Sequence, residues 1–553
     1  MNKFQKNFLL IFLLFVPFIL KSQKSSLDSM IIISTGVFKP TVADANKINE
    51  NPVVIDSTKK LAVKSYNINS KKINPTQSVD PVTPAQMVGE PLKKLYNSLA
   101  KGGFGTYTTP YLEFWHNSLR SKEYAYGVHL KHLSSASTLK NYGYAGMSND
   151  QVGLYGKKFL KEHSLIGNFD FSRNGVHFYG YDANLISLSK KETAQHFNYF
   201  GANAELLSHY SKLSRFNHDI KLGFYNVTDA YKSSENNIRA KGYVQTILEK
   251  ELIKVNGLVD YYNFKSPADT NNNTIIALNP NFIADGDKYH ASLGITATLD
   301  VQGSSKFYFH PNVEASYNIF ENIIVPYAGI NGGVRKNSFK SITDENPFVA
   351  SNLLLKNSVD KFEVYGGLKG TLSSSIAYNV HASYAAVGDM LLYVNDTTYP
   401  ENRFQVIYDD ANVFNLHGEV IYQLREKLRI LIAADYYNYK MKHEIRAWYK
   451  PQVKLNFSAN YNLSDKIIVK ADVFYFDNQY AKTFSSEEDS TSKKVTAKEL
   501  KGLFDLNIGA EYRYTKRLGF FLNVNNIANV RYLRYINYPT QRFSIMGGLS
   551  YAF

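Results

Sequence analysis

The densest histidine group, His116, His129, His132 and His163, is the first place to look for a metal site or a general base. Successive strand residues point to opposite faces, so His129 and His132, three apart, cannot both ligate one metal without distortion. No G-x-S-x-G or H-E-x-x-H segment supplies an activated nucleophile or a zinc-binding helix. With no cysteine, disulfides, thiolate metal sites and lipid attachment through an N-terminal cysteine are excluded. The acidic stretches Asp269–Asn273 and Ser485–Ser490 carry oxygen ligands of the kind Ca²⁺ takes, and equally read as solvated loops. Each histidine reads as a lumen or interface residue, and the chain is expected to be no enzyme and to carry no cofactor.

The elements that must position these residues are strands. In Phe543–Phe553, Phe543, Ile545, Leu549, Tyr551 and Phe553 share one face, opposite Ser544, Met546, Gly548, Ser550 and Ala552. Phe504, Leu506, Ile508, Ala510, Tyr512 and Tyr514 likewise oppose Asp505, Asn507, Glu511 and Arg513. The same period sets Phe520, Leu522 and Val524 against Gly519, Asn523 and Asn525, and Leu428, Ile430 and Ile432 against Arg429. Charged residues on the second face need water or partners, which a wet lumen supplies and a dry core does not. Segments of twelve or more alternating residues with aromatic ends match strands crossing a bilayer at a tilt better than the shorter strands of a soluble sandwich.

Turn lengths give the topology. Tight turns fall near Ser118, Glu162, Lys212, Lys250, Asp287, Glu321 and Ser374, and at LREKL, NLSDK and YTKRL. Long polar loops alternate with them near Tyr142, Ser187, Ala268, Ser341 and Thr397, and over Met441–Lys450, Asp477–Lys501 and Ala528–Thr540. Short turns on the periplasmic side and long extracellular loops are the asymmetry of an outer-membrane barrel. About 21 strands follow Gly105, and even parity asks for one more around Pro91–Lys101, although PLKKLYNSLA equally suits a short helix. The expected fold is an all-β transmembrane antiparallel barrel of about 22 strands with a polar lumen and long extracellular loops, roughly 16–20 strands being the alternative.

Lys3 and Lys6 precede the apolar run Phe8–Leu20, and LKSQ leads into polar sequence, the order of a secretory signal; residues 1–23 are expected to be removed. Of the 553 residues, 42 are Tyr and 35 Phe, an aromatic load suited to a lipid-facing surface and its girdles. The mean hydropathy of −0.30 argues against a helical membrane bundle. A net charge of +15 in an exported chain suits lipopolysaccharide phosphates or acidic solutes in the lumen, and nucleic acid is no expected partner.

The closing segment LNVNNIANVRYLRYINYPTQRFSIMGGLSYAF resembles the last strands of TonB-dependent receptors, on Asn526, Asn529, Tyr532, Tyr538, Pro539 and the terminal Phe553. The resemblance implies a 22-stranded barrel in the outer membrane of a Gram-negative bacterium, inserted by the barrel-assembly machinery through the strand bearing Phe543, Ile545, Leu549, Tyr551 and Phe553. MIIISTG, with Ile31, Ile32, Ile33, Ser34, Thr35 and Gly36, is similar to that family's TonB-coupling box. KPTVADANKINENP and GGFGTYTTPYLE are similar to short plugless relatives of Bacteroidetes type.

The departure from the family is the missing plug. About 65 residues separate Gly36 from the first strands, with several prolines and no Arg-Gly pair of the kind that seats a plug. Residues 24–90 read as an extended periplasmic or lumen-filling segment, and 91–553 as the barrel. An open lumen of this size would leak. It is expected to be filled by the N-terminal segment, by long loops such as Asp477–Lys501 folded down, or by another subunit. Two functions follow: solute uptake or reception, implied by the resemblance, or a scaffold in an assembly or export complex with an envelope protein or surface lipoprotein.

Overall fold

The computed structural model describes residues 95–209, 216–486 and 493–553. The expected signal segment (1–23), the extended segment (24–90) and the coupling-box-like Ile31–Gly36 lie outside them. The first strands of the barrel are β1 (Ser98–Gly105), β2 (Thr109–Asn117), β3 (Tyr124–Ser135), β4 (Met147–Phe159), β5 (His163–His177) and β6 (Ala194–Ser208). There follow β7 (Phe216–Asp229), β8 (Ser234–Leu248), β9 (Glu251–Lys265), β10 (Thr270–Asp285), β11 (Tyr289–Gln302), β12 (Ser304–Tyr317) and β13 (Val325–Arg335). The wall continues with β14 (Ser358–Ser373), β15 (Ile376–Asn395), β16 (Phe404–Leu424), β17 (Leu428–Met441), β18 (Val453–Leu463) and β19 (Ile467–Phe476). It ends with β22 (Leu503–Arg513), β23 (Leu518–Asn525) and β26 (Ser544–Ala552). These form one 22-stranded antiparallel sheet, while β20 (Gln479–Ser486) with β21 (Lys493–Leu500), and β24 (Leu533–Tyr535) with β25 (Tyr538–Pro539), make two separate hairpins.

β1 closes the sheet on β26, with Leu99 opposite Ala552 and Gly105 opposite Met546. Reciprocal 3.0 Å backbone hydrogen bonds join Ser98 and Phe553. Closure leaves no free edge, so every strand keeps both ladders. The parity strand is thus real and lies at Ser98–Gly105, where the last residues of PLKKLYNSLA are extended rather than helical.

Alternation sorts the side chains as the sequence predicts. The outward face is apolar: Leu112 is 60 % exposed, Phe309 69 % and Leu293 54 %. A band of this composition is matched to hydrocarbon, not to water. The inward face carries ion pairs, among them Lys101–Glu511 at 3.5 Å, Lys221–Glu205 at 3.0 Å and Arg335–Asp360 at 2.9 Å. These carboxylates placed toward the lumen are thus compensated by a cation close by.

Among the described residues, the connections that the sequence marks as tight fall at one end of the barrel, here the turn end, together with Ser98 and Phe553; the turn expected near Lys212 lies outside the described residues. The other, the loop end, departs from expectation near Ala268. Instead of a long loop, only Ser266–Asp269 joins β9 to β10, because Asn271 and Asn273 belong to the β10 ladder, paired with Phe264 and Tyr262. These amide-rich residues look like a loop because the strands rise beyond the apolar band. At the same end the single residue Gly303, at a φ of 71°, joins β11 to β12, a left-handed backbone that suits glycine.

Candidate functional site

At the loop end the chain's own loops pack on one another and on the barrel wall. One of them is 336–357, between β13 and β14, which carries a short helix, Phe339–Glu345. Ser338 caps it: its hydroxyl accepts the Ser341 N–H at 3.1 Å and the Ser341 hydroxyl accepts the Ser338 N–H at 2.9 Å. The first turn of the helix is then handed to the barrel wall. The Phe339 N–H donates to the fully buried Glu235 carboxylate at 2.6 Å, and the other carboxylate oxygen accepts the Tyr225 hydroxyl at 2.6 Å. A helix leaves its first amides without internal acceptors, so a buried carboxylate is a fitting seat.

Two more buried carboxylates hold the same loop. Asp260 accepts Lys336 at 2.8 Å and Arg239 at 2.5 Å. Burial lowers the Lys336 ammonium below the usual lysine range, and the pair with Asp260 opposes that shift. Asp229 accepts the Ser351 hydroxyl, and the Ser233 hydroxyl donates to the Ser351 carbonyl at 2.8 Å. Further along, the Leu355 carbonyl receives the Asn271 amide at 3.1 Å, and Asn357 donates to Asp300 at 2.9 Å. The loop is therefore gripped by β7, β8, β9, β10 and β11.

Between these polar seats the loops bury an apolar cluster that crosses the mouth. It joins Phe197, Val227, Tyr262 and Phe264 of the β6–β9 wall to Phe339, Ile342, Val349, Leu353 and Leu355 of loop 336–357. From the far side come Leu392, Tyr393, Phe404, Trp448, Tyr449, Leu500, Tyr535 and Tyr538. Phe348 stacks on Tyr538 with ring centroids 4.0 Å apart, and Phe404 meets Tyr535 at 5.2 Å. Gly180 makes room for this packing, since a Cβ there would stand 2.3 Å from the Tyr538 ring. Fully buried aromatics stabilise such a cluster by about 3–5 kcal/mol each, judged by truncation to alanine. Burial pushes the Tyr535 hydroxyl up to about 12, and it also raises those of Tyr449 and Tyr538. The cluster thus carries no phenolate at neutral pH.

Beneath this lid lies a chamber of about 930 Å³. Its walls are the inward faces of β6, β7 and β8 with Asn203, Glu205, Lys221, Tyr225, Arg239 and Lys241, and its roof is the lid helix with Lys340 and Asp344. Tyr199 and Tyr393 complete it. The volume suits a small solute held by ionic and amide groups against a few rings.

The sequence-marked candidates do not gather here. His116 bonds Ser98 at 2.8 Å, His129 bonds Glu113 at 2.9 Å and His132 bonds Asp150 at 2.5 Å. The His163 ring instead lies 5.1 Å from His218. Among the described residues no group of three His, Asp or Glu could hold a metal. Asp269–Asn273 supplies Asn271 to the lid seat, and most of Ser485–Ser490 lies outside the described residues. Phe543, Ile545, Leu549, Tyr551 and Phe553 are exposed at and around β26, the first four of them together with Phe553 continuing the apolar outer band. The functional residues that sequence reasoning missed are those of the lid. Their signal was an apolar content, Phe339, Ile342, Phe348, Val349, Leu353, Leu354 and Leu355, too high for a solvated loop.

With the geometry in place, comparison with solved structures identifies the fold. The FrpB iron transporter from Neisseria meningitidis superimposes with a TM-score of 0.64 at 10% identity, over 84% of this chain and 82% of that one. The barrel has the fold of TonB-dependent receptors. The ferric enterobactin receptor from Pseudomonas aeruginosa gives a TM-score of 0.61 at 12% identity, covering 83% of this chain and 80% of that one. The pyoverdine outer membrane receptor from the same organism gives 0.63 at 11%, over 83% and 79% of the two chains. These similar structures are transporters and receptors, not enzymes. No protein-family model and no curated protein matches the sequence.

Proposed function

We propose that this protein is an outer-membrane receptor of a Gram-negative bacterium that takes up a solute through a barrel gated by its own loops. The observation that carries the reading is the seat of loop 336–357 on Glu235, Asp260 and Asp229, above a solute-sized chamber. The fold supports the setting, and the alternation of short turns and tall strands supports a periplasmic turn end and an outer loop end. In this reading the outward band meets lipid and lipopolysaccharide, the Phe543–Phe553 strand is the one offered to the barrel-assembly machinery, and an envelope protein supplies the energy.

The absence of an Arg-Gly-bearing plug sequence ahead of β1 supports a gate made of loops, with residues 24–90 as partial filler on the periplasmic side. Ile31–Gly36 is assigned as the coupling segment. Deleting it abolishes uptake and the pull-down of a TonB-type protein; unchanged values of both dispose of energy coupling. The scaffold alternative finds no support in the comparisons.

Conductance in planar bilayers tests the gate. The full chain is expected to be silent, and the same chain lacking 339–355 to carry a large stable current. A full chain that conducts freely, or a deletion that stays silent, defeats the loop-gate reading.

A further inference from the structure

The chamber wall contains an arrangement that sheet energetics does not favour. Lys221 on β7 stands directly opposite Lys241 on β8, both on the inward face. Residues opposite one another in an antiparallel pair have Cβ atoms roughly 4.5–5.5 Å apart, and like charges in those positions destabilise the sheet. Lys221 is compensated by Glu205 at 3.0 Å and Asp219 at 3.3 Å. Among the described residues no carboxylate pairs with Lys241.

One step along β8, Arg239 shares Asp260 with Lys336, so that one buried carboxylate serves two cations. The placement of the charges is asymmetric as well. Asp260 is 3% and Asp219 13% exposed, whereas the Arg239 and Lys221 side chains are each 39% exposed. Carboxylates and cations share the inward face, and in the Arg239–Asp260 and Lys221–Asp219 pairs the cation is the more exposed partner. In the roof, Lys340 of the lid helix leans over the Tyr199 ring at 4.8 Å and is compensated by Asp344 at 2.5 Å, so the cation left uncompensated among the described residues is that of the wall.

We propose that the Lys221–Arg239–Lys241 wall binds a small solute bearing two or more carboxylate or phosphate groups. The cations hold its charged groups, Arg239 offering a planar fork and the lysines point charges. Tyr199 and Tyr225 border its less polar body, and bound anion relieves the Lys221–Lys241 repulsion. The proposal deepens the uptake reading and rests on it for the route by which a solute arrives.

Isothermal titration calorimetry on the full chain in detergent micelles tests it without any transport. The probes are inorganic pyrophosphate and propane-1,2,3-tricarboxylate, with a neutral trisaccharide as control. One or both anions are expected to bind, more weakly as salt is raised. The Lys241→Gln variant weakens them about tenfold, the worth of one charge-assisted contact. Lys241→Glu abolishes binding and Lys241→Arg retains it. Because Lys241 has no ion-pair partner among the described residues, these variants leave the wall's own pairs in place, and unchanged circular dichroism checks the fold. The proposal is overturned if neither anion binds, if Lys241→Glu binds as the wild type does, or if the trisaccharide binds as well as the anions. A failure here leaves the conductance test of the gate untouched, and a silent lid deletion leaves anion binding to be measured independently.

Discussion

Glu235 is a single buried side chain on which two elements depend. Truncation to alanine leaves the Phe339 N–H and the Tyr225 hydroxyl without their acceptor, at a cost of about 1–3 kcal/mol for each donor left dry. Glutamine keeps an acceptor for the amide and can donate to the Tyr225 oxygen. Limited proteolysis should therefore cut loop 336–357 faster in Glu235→Ala than in the wild type, with Glu235→Gln in between. Equal cutting of all three refutes Glu235 as the seat. Tyr535 gives a pH test at the same scale. Its folded value is raised from 10.0 to about 12, so the folded state holds a proton that the released ring would lose. The contribution to stability is whole below pH 10.0 and falls as pH rises from there to about 12. Absorbance at 295 nm should show lid tyrosines ionising late, together with faster proteolysis of the lid. At this scale strand parity was readable: it correctly separated His129 from His132. No such rule reaches Glu235, whose partner Phe339 is 104 residues away.

As an element, loop 336–357 behaves as a piece of core inserted into a barrel mouth. The sequence marks its place between two strands, and its alternation ends where the loop begins. What a sequence read by local period cannot show is that Phe339, Ile342 and Leu355 find partners on β6–β9 and on loops far along the chain, because those contacts are tertiary. The same limit explains Asn271 and Asn273, which read as a loop and serve as ladder and seat. Absence of native cysteine gives a clean test of motion. The Ser233 hydroxyl touches the Ser351 carbonyl at 2.8 Å, so a Ser233→Cys/Ser351→Cys pair should tie the loop to the β7–β8 turn. Urea weakens apolar burial. Added at low concentration on the loop side, it should raise conductance in the reduced pair and not in the oxidised one. An equal rise in both states would show that current passes without movement of this loop. Gly180→Val should act in the same direction as reduction, by pressing Tyr538 out of its seat.

For the whole molecule, the barrel and the lid rest on different physics. The wall is held by 22 strands closed through β1 and β26, and its long two-residue period is why strand number and closure were legible in the sequence. The lid rests on three buried carboxylates and one apolar cluster at the loop end, away from the Ser98–Phe553 seam. Loss of the lid should thus spare closure. Unboiled wild-type protein in mild sodium dodecyl sulfate should migrate faster than boiled protein, as compact closed barrels do. The chain lacking 339–355 should show the same shift over the same temperature range. If that deletion instead lowers the temperature at which the compact form is lost, the loops brace the wall. A gate that opens would then strain the whole barrel, and uptake by loop displacement would require β6–β9 to move with the lid.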